Sequence, residues 1–207
     1  MKKIILVFIL LQTIIQASEV LDTNNAQNES AFFIRGGIDF INGTAKIRHK
    51  EDTAIVLLHT AAMIGNALEF VVGYEDNEYS VRYCINMKHA YENIEQYAVT
   101  STRYMGGLEG FNALSGMNLN YGVLVGGGKA TFKLPENTVT NDLVSFLGIE
   151  AYVGADGEIQ DDFGYYVKVA YDVKGYDSVN STDGIKSFRD DLVVYNMSVG
   201  IGLSYKF

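Results

Sequence analysis

The last eleven residues alternate without a break: Met197, Val199, Ile201, Leu203, Tyr205 and Phe207 fall on one face, and Ser198, Gly200, Gly202, Ser204 and Lys206 on the other. A period of two is that of a β-strand. A continuous apolar face opposite a small or polar one suits a wall with lipid outside and a polar lumen inside. The same rhythm predicts seven strands upstream. Phe32 to Phe40 turns Phe32, Ile34, Gly36, Ile38 and Phe40 one way and Arg35 and Asp39 the other. Leu68 to Tyr74 opposes Leu68, Phe70, Val72 and Tyr74 to Glu69, and Tyr79 to Met87 opposes tyrosines and aliphatics to Ser80, Arg82, Cys84 and Asn86, with Lys88 beyond. A fourth strand around Tyr97 to Met105 is poorly phased. Later strands set Leu143, Leu147, Ile149, Ala151 and Val153 against Glu150, and Phe163 to Val173 against Lys168, Asp172 and Lys174.

The fifth strand changes phase. Leu119, Tyr121, Val123 and Val125 share a face, but beyond Gly126-Gly127-Gly128 the apolar positions are Ala130, Phe132 and Leu134. One extra residue at the glycines, a bulge, would keep Val125 and Phe132 both outward. The connections fall into two sets. Glu75 to Glu78, Gly106 to Gly116 and Ala155 to Asp162 read as short inner turns, and Asn42 to Ala67 and Asp177 to Asp190 as long outer loops. The apolar run Ala54 to Gly65 reads as a further strand, a loop helix or a segment folded over the mouth. As a strand it requires a tenth, because such barrels have an even count.

At the amino terminus, Lys2 and Lys3 precede an apolar run from Ile4 to Ile15, and the chain turns polar after Ala17 and Ser18. This is the order of a secretory signal peptide, here residues 1–17 or 1–18, and the run is too short for a membrane helix. The remaining residues, 18–207, suit one domain. Without Lys2 and Lys3 the 16 basic residues become 14, against 25 acidic ones, for a formal charge of −11. That balance argues against nucleic-acid binding. The lone Cys84 forms no internal disulfide and reads as a small buried side chain. Twenty-one Gly, fourteen Tyr and eleven Phe with one Pro fit packed strands with aromatic edges.

A soluble sandwich also alternates, but the leader and the terminal strand favour an all-β, antiparallel, up-and-down transmembrane barrel, with eight strands or ten. The RGGIDF first strand, the GYEDNEYSVRY hairpin and the final VGIGLSYKF resemble the small outer-membrane β-barrels of Gram-negative bacteria, of the OmpA, OmpX and opacity-protein type. The resemblance implies a place in the cell outer membrane, and as partners outer-membrane lipid and lipopolysaccharide, the barrel-assembly machinery, and a host or environmental surface ligand. It leaves activity open.

Alternation turns Arg35, Asp39, Glu69, Arg82, Glu150, Lys168 and Asp172 inward. A barrel of eight strands is just wide enough for side chains to fill it, so these charges are expected to pair and close the lumen. Tyr205 and Phe207 are the expected assembly signal. No metal or cofactor is expected: the three histidines, His49, His59 and His89, sit on separate elements. None is followed two residues on by the Ser that a lipid A deacylase resemblance needs. Asp177-Ser178 is the one loop pair that could serve a palmitoyltransferase-like site. Gly126-Gly127-Gly128-Lys129 fails as a phosphate loop, with Val123 and Ala130 at the required Gly and Ser/Thr positions. The expected role is non-enzymatic, structural or adhesin-like through the external loops; the alternatives are a narrow solute channel and, less favoured, a lipid A-modifying enzyme.

Overall fold

A computed structural model describes residues 30–51, 54–94, 97–114, 116–133, 143–160, 162–176 and 190–207. Residues 1–17, expected from the sequence to be a signal peptide, Asp177-Ser178 and Leu134 lie outside the described residues. The chain forms eight antiparallel strands closed into a barrel: β1 (Ala31–Glu51), β2 (Ala54–Asp76), β3 (Val81–Ile94), β4 (Tyr97–Leu114), β5 (Met117–Lys133), β6 (Leu143–Gln160), β7 (Phe163–Tyr176) and β8 (Asp190–Lys206). Each strand pairs with its sequence neighbours, and β8 closes on β1 through a register that includes Ile38↔Ile201 and Phe40↔Val199. Both described ends meet at one rim, the near end, where the Phe207 amide donates to the Phe32 carbonyl at 2.9 Å. The eight-strand, all-β expectation is borne out.

The strands are longer than the pattern predicted. Asn42 to Ala67 is not a loop: β1 runs to Glu51 and β2 starts at Ala54, so Ala54 to Gly65 is the far half of β2. No ninth or tenth strand is needed. Gly106 to Gly116 and Ala155 to Asp162 are not turns either, because β4 continues to Leu114 and β6 to Gln160. Alternation survives in both, with Glu109 and Phe111 inward beside an exposed Leu108. Between β4 and β5, Gly116 takes φ +82°, a left-handed backbone suited to glycine. Tyr79 and Ser80 belong to the β2–β3 turn rather than to β3.

Nor is there a bulge at Gly126 to Gly128. The register runs regularly from Val125↔Gly106 through Gly128↔Arg103 to Phe132↔Val99. Val125 therefore faces out and Phe132 faces in, where it packs on Tyr176 with ring centroids 5.6 Å apart. The phase change in the sequence is real, but it reports a change in what the two faces touch. Between the near end and Phe40, Tyr104 and Tyr171, the outer wall is apolar and the interior charged. Farther along, the polarity inverts. Asn42 and Thr44 on β1, Asn93 on β3, Thr102 and Thr100 on β4, Lys129, Thr131 and Lys133 on β5, and Ser145 on β6 face out. Inside stand Ile41, Met63, Ile94, Val99, Ala130, Val144, Phe146, Tyr176, Leu192 and Val194 as one buried cluster. On β2 Ile64 stays apolar and exposed, and on β7 and β8 the outward positions Val173, Val193 and Tyr195 also stay apolar.

Strand length explains the inversion. A membrane-crossing strand needs ~9–11 residues, whereas β1 has 21 and β2 has 23. About half of each extends beyond the hydrocarbon, where water meets the outer wall and the apolar residues turn inward. The far half is built like a water-soluble barrel, standing on a near half built for lipid.

Candidate functional site: a sealed lumen

The near half of the interior holds two ionic tiers. In the first, Arg35 from β1 grips Glu109 from β4 with both amino groups, at 2.8 and 2.9 Å, a bidentate pairing. Arg82 from β3 reaches Glu75 at 2.5 Å, Glu109 at 2.5 Å and Asp156 at 2.7 Å. Tyr152 donates to Glu109 at 2.6 Å, Asn118 and Asn120 donate to Asp156, and Lys206 reaches Glu75 from the rim at 2.9 Å. The guanidinium groups of Arg35 and Arg82 stack on Phe33 and Phe111, 4.7 and 4.5 Å from the ring centroids.

The second tier lies deeper. Lys88 Nζ sits 2.5 Å from Asp39 and 2.7 Å from Glu150, and Lys168 Nζ sits 2.5 Å from Glu69 and 3.1 Å from Glu150. Arg103 joins Glu150 to Asp172, at 2.7 Å from the latter, and Lys174 bonds Glu92 at 2.5 Å. Asn86 and Tyr166 donate to Glu69 at 2.6 and 3.1 Å. Asp39 is held by charge alone: Lys88 and Lys168 are close, but neither carboxylate oxygen accepts a hydrogen bond of acceptable angle.

Phe33, Val71, Cys84, Met105 and Leu124 form an apolar cluster within the charged half, with Tyr152 packed on it. Cys84 is buried and free. A cavity of about 20 Å³ opens between the tiers beside Arg35, Glu69, Asn86 and Lys168, room for about one water. Gly73 makes the space for this packing, since a Cβ there would stand 2.3 Å from the Phe33 ring. Beyond Glu150 the interior is occupied by the apolar cluster of the far half, with the Lys174–Glu92 pair at the level of its members Val99 and Val194.

All seven lumen residues expected from the sequence are inward and buried. They do not form one set. Lys168 meets Asp39, Glu69 and Glu150, and Asp172 joins them through Arg103. Arg35 and Arg82 pair instead with Glu75, Glu109 and Asp156, which sequence reasoning had assigned to turns. Arg103 and Glu92 were also missed, the first on a strand that looked unphased and the second beyond the expected end of β3. Their parity was the available signal: Arg103, Met105, Glu109 and Phe111 are all odd-numbered and all inward.

His89 faces outward, its Nδ1 2.7 Å from Thr102 Oγ1, with Tyr91 packed edge-on at 4.8 Å. The backbone at His49 and His59 belongs to β1 and β2. Among the described residues no group of three or more His, Cys, Asp and Glu has the arrangement of a metal site.

No protein-family model matches the chain, and no curated protein matches it by sequence. Its fold matches solved structures. The crystal structure of Neisserial surface protein A superposes with a TM-score of 0.59 at 11% identity, over 86% of this chain and 99% of that one. The outer membrane protein AlkL, solved by solid-state NMR in lipid bilayers, gives 0.56 at 12% identity, over 89% and 93%. The fold is that of a small outer-membrane β-barrel. At these identities the likeness is one of architecture, and the outward apolar wall of Ile38, Leu68, Ile85, Val123, Val169 and Ile201 is the independent physical reason to place the barrel in a membrane.

Proposed function

We propose that this outer-membrane barrel is sealed and non-enzymatic, and acts by the surface its far half presents: a structural and surface-interaction, adhesin-like role. The observation that supports the reading is the filling of the lumen by two ionic tiers and an apolar plug. A solute path would have to break buried ion pairs, whose members are costly to leave unpaired in low dielectric, and then cross an apolar cluster. The far half offers a partner a polar wall raised beyond the hydrocarbon. Purified barrel in planar bilayers is expected to show no unitary conductance under symmetric salt. Reproducible single-channel steps would replace this reading with the narrow-channel one. Lipid A from cells with and without the gene is expected to give the same mass spectrum, and a changed acyl pattern would favour the enzyme.

We further propose that Tyr205 and Phe207 guide assembly. Phe207, just past the end of the closing strand, is 71% exposed, and its ring packs edge-on against Tyr205 at 5.0 Å. Deleting Phe207 removes an outward aromatic and one bond to β1 but no lumen contact. The folded, heat-modifiable fraction in the outer membrane is expected to fall severalfold, while barrel refolded in detergent keeps nearly its full stability. Normal membrane levels of the truncated chain would rule the assembly role out.

A further inference from the structure

Every strand pairing in the barrel but one joins sequence neighbours; β1 with β8 joins the two ends of the chain's sheet with no hairpin between them. A pairing without a hairpin carries the largest loop-closure cost, so this seam has the least local support. The inner face of β8 gives it no grip either. Its inward positions beside the near half of β1 are Ser198, Gly200, Gly202 and Ser204. Side chains of β7 cross over this small face. Tyr166 is paired with Gly202, which is paired in turn with Gly37 on β1, and Lys168 is paired with Gly200, which is paired with Asp39. Tyr166 lies over both glycines of its row: a Cβ at Gly202 would stand 2.5 Å from its ring, and one at Gly37 would collide with its hydroxyl. The Lys168 stem lies over Gly200 in the same way, 3.0 Å from where a Cβ would stand.

What these two side chains reach lies beyond the seam. Tyr166 donates to Glu69 on β2 at 3.1 Å, and Arg35 on β1 turns its guanidinium toward the Tyr166 ring, 5.6 Å from the centroid. Lys168 Nζ stands 2.5 Å from Glu69 and 3.6 Å from Asp39 on β1. Both Tyr166 and Lys168 are buried, where water does not compete for these bonds. All four contacts run from β7 to β1 or β2, so none survives if β8 parts from β1. On the outer side, Ile38, Val199 and Ile201 meet lipid, which is as apolar as they are and gives no hydrophobic drive to hold the two edges together. We propose that Tyr166 and Lys168 form an internal strap across the β1–β8 seam, seated in a trough made by Gly37, Gly200 and Gly202, and that closing the barrel and completing the deeper ionic tier are one event. The strap depends on the fold alone and not on what the far half meets.

Backbone amide exchange, resolved by residue in the full barrel in detergent micelles, tests the strap. Tyr166→Ala is expected to speed exchange across the β1–β8 pairing about tenfold while the β3–β4 pairing changes by less than about twofold, because losing a strap opens one seam locally rather than the whole barrel. Tyr166→Phe keeps the ring over the glycines and loses only the bond to Glu69, so the same seam should speed up by about threefold. Tyr152→Ala is the matched control. Tyr152 on β6 lies over Gly122 of β5 and donates to Glu109 on β4, so its loss removes as much side chain and one hydroxyl bond, but from a residue that bonds neither β1 nor β2. That variant should speed the seam no more than the β3–β4 pairing. Equal exchange changes at the two pairings in either Tyr166 variant, or a seam effect from Tyr152→Ala as large as that from Tyr166→Ala, overturns the proposal. Should Tyr166→Ala give no folded barrel, Tyr166→Phe decides alone.

Discussion

Replacing Glu150 with alanine should destabilise the barrel by about 3–5 kcal/mol, the usual cost of removing one partner from a buried ion pair. Glu150 is the hub of the deeper tier. Its two oxygens meet Lys88 at 2.7 Å, Lys168 at 3.1 Å and Arg103, and it has no solvent exposure. Without it, three buried cations share Asp39, Glu69 and Asp172, and Asp39 already lacks a well-angled hydrogen bond. Glu150→Gln keeps the shape and some of the hydrogen bonding, so its loss should be smaller. Glu78→Ala, at an exposed turn, should cost about 0–1 kcal/mol. Urea midpoints read from heat-modifiable migration give all three. The conductance of Glu150→Ala should stay at baseline, because the apolar plug beyond the second tier is untouched. A Glu150→Ala midpoint equal to that of the wild type would show that the tier contributes nothing to holding the barrel together.

Period-two alternation carried most of this architecture into the sequence. The strand count, the closing strand and the inward face of all seven expected lumen residues follow from parity, because in a barrel wall parity decides the side. What alternation conceals is where the membrane ends. Beyond it a strand still alternates, but water and lipid exchange places as the outer medium and the apolar set moves to the other parity. On β5 that exchange looked like a bulge, and between Asn42 and Ala67 it looked like a loop. At the opposite end, taking Glu75 to Glu78, Gly106 to Gly116 and Ala155 to Asp162 for turns removes Glu75, Glu109 and Asp156 from the expected lumen and leaves Arg35 and Arg82 without their partners. Pairings among inward charges were not legible either, since strand tilt and side-chain reach decide which rows meet across the interior. Arg35 and Glu109, 74 positions apart, are joined only by closure of the barrel.

The membrane boundary makes its own quantitative prediction. Val169 faces out from the middle of β7, 44% exposed, with Val153 and Val199 as its paired neighbours. Thr131 faces out from β5 beyond the polarity inversion, paired with Thr100 and Leu143. Arginine on the lipid face costs about 2–4 kcal/mol at the bilayer midplane and about 0–1 near an interface. Val169→Arg should therefore lower folding stability in lipid vesicles by roughly that larger amount, and Thr131→Arg by no more than the smaller. The two substitutions are alike in adding a long cation to an outward position, so any difference reports the medium that the position meets. In detergent micelles, which deform around a charge, the gap should narrow. Equal costs in vesicles would mean that the hydrocarbon reaches Thr131, that the far half is not raised into water, and that its inward apolar cluster needs another cause.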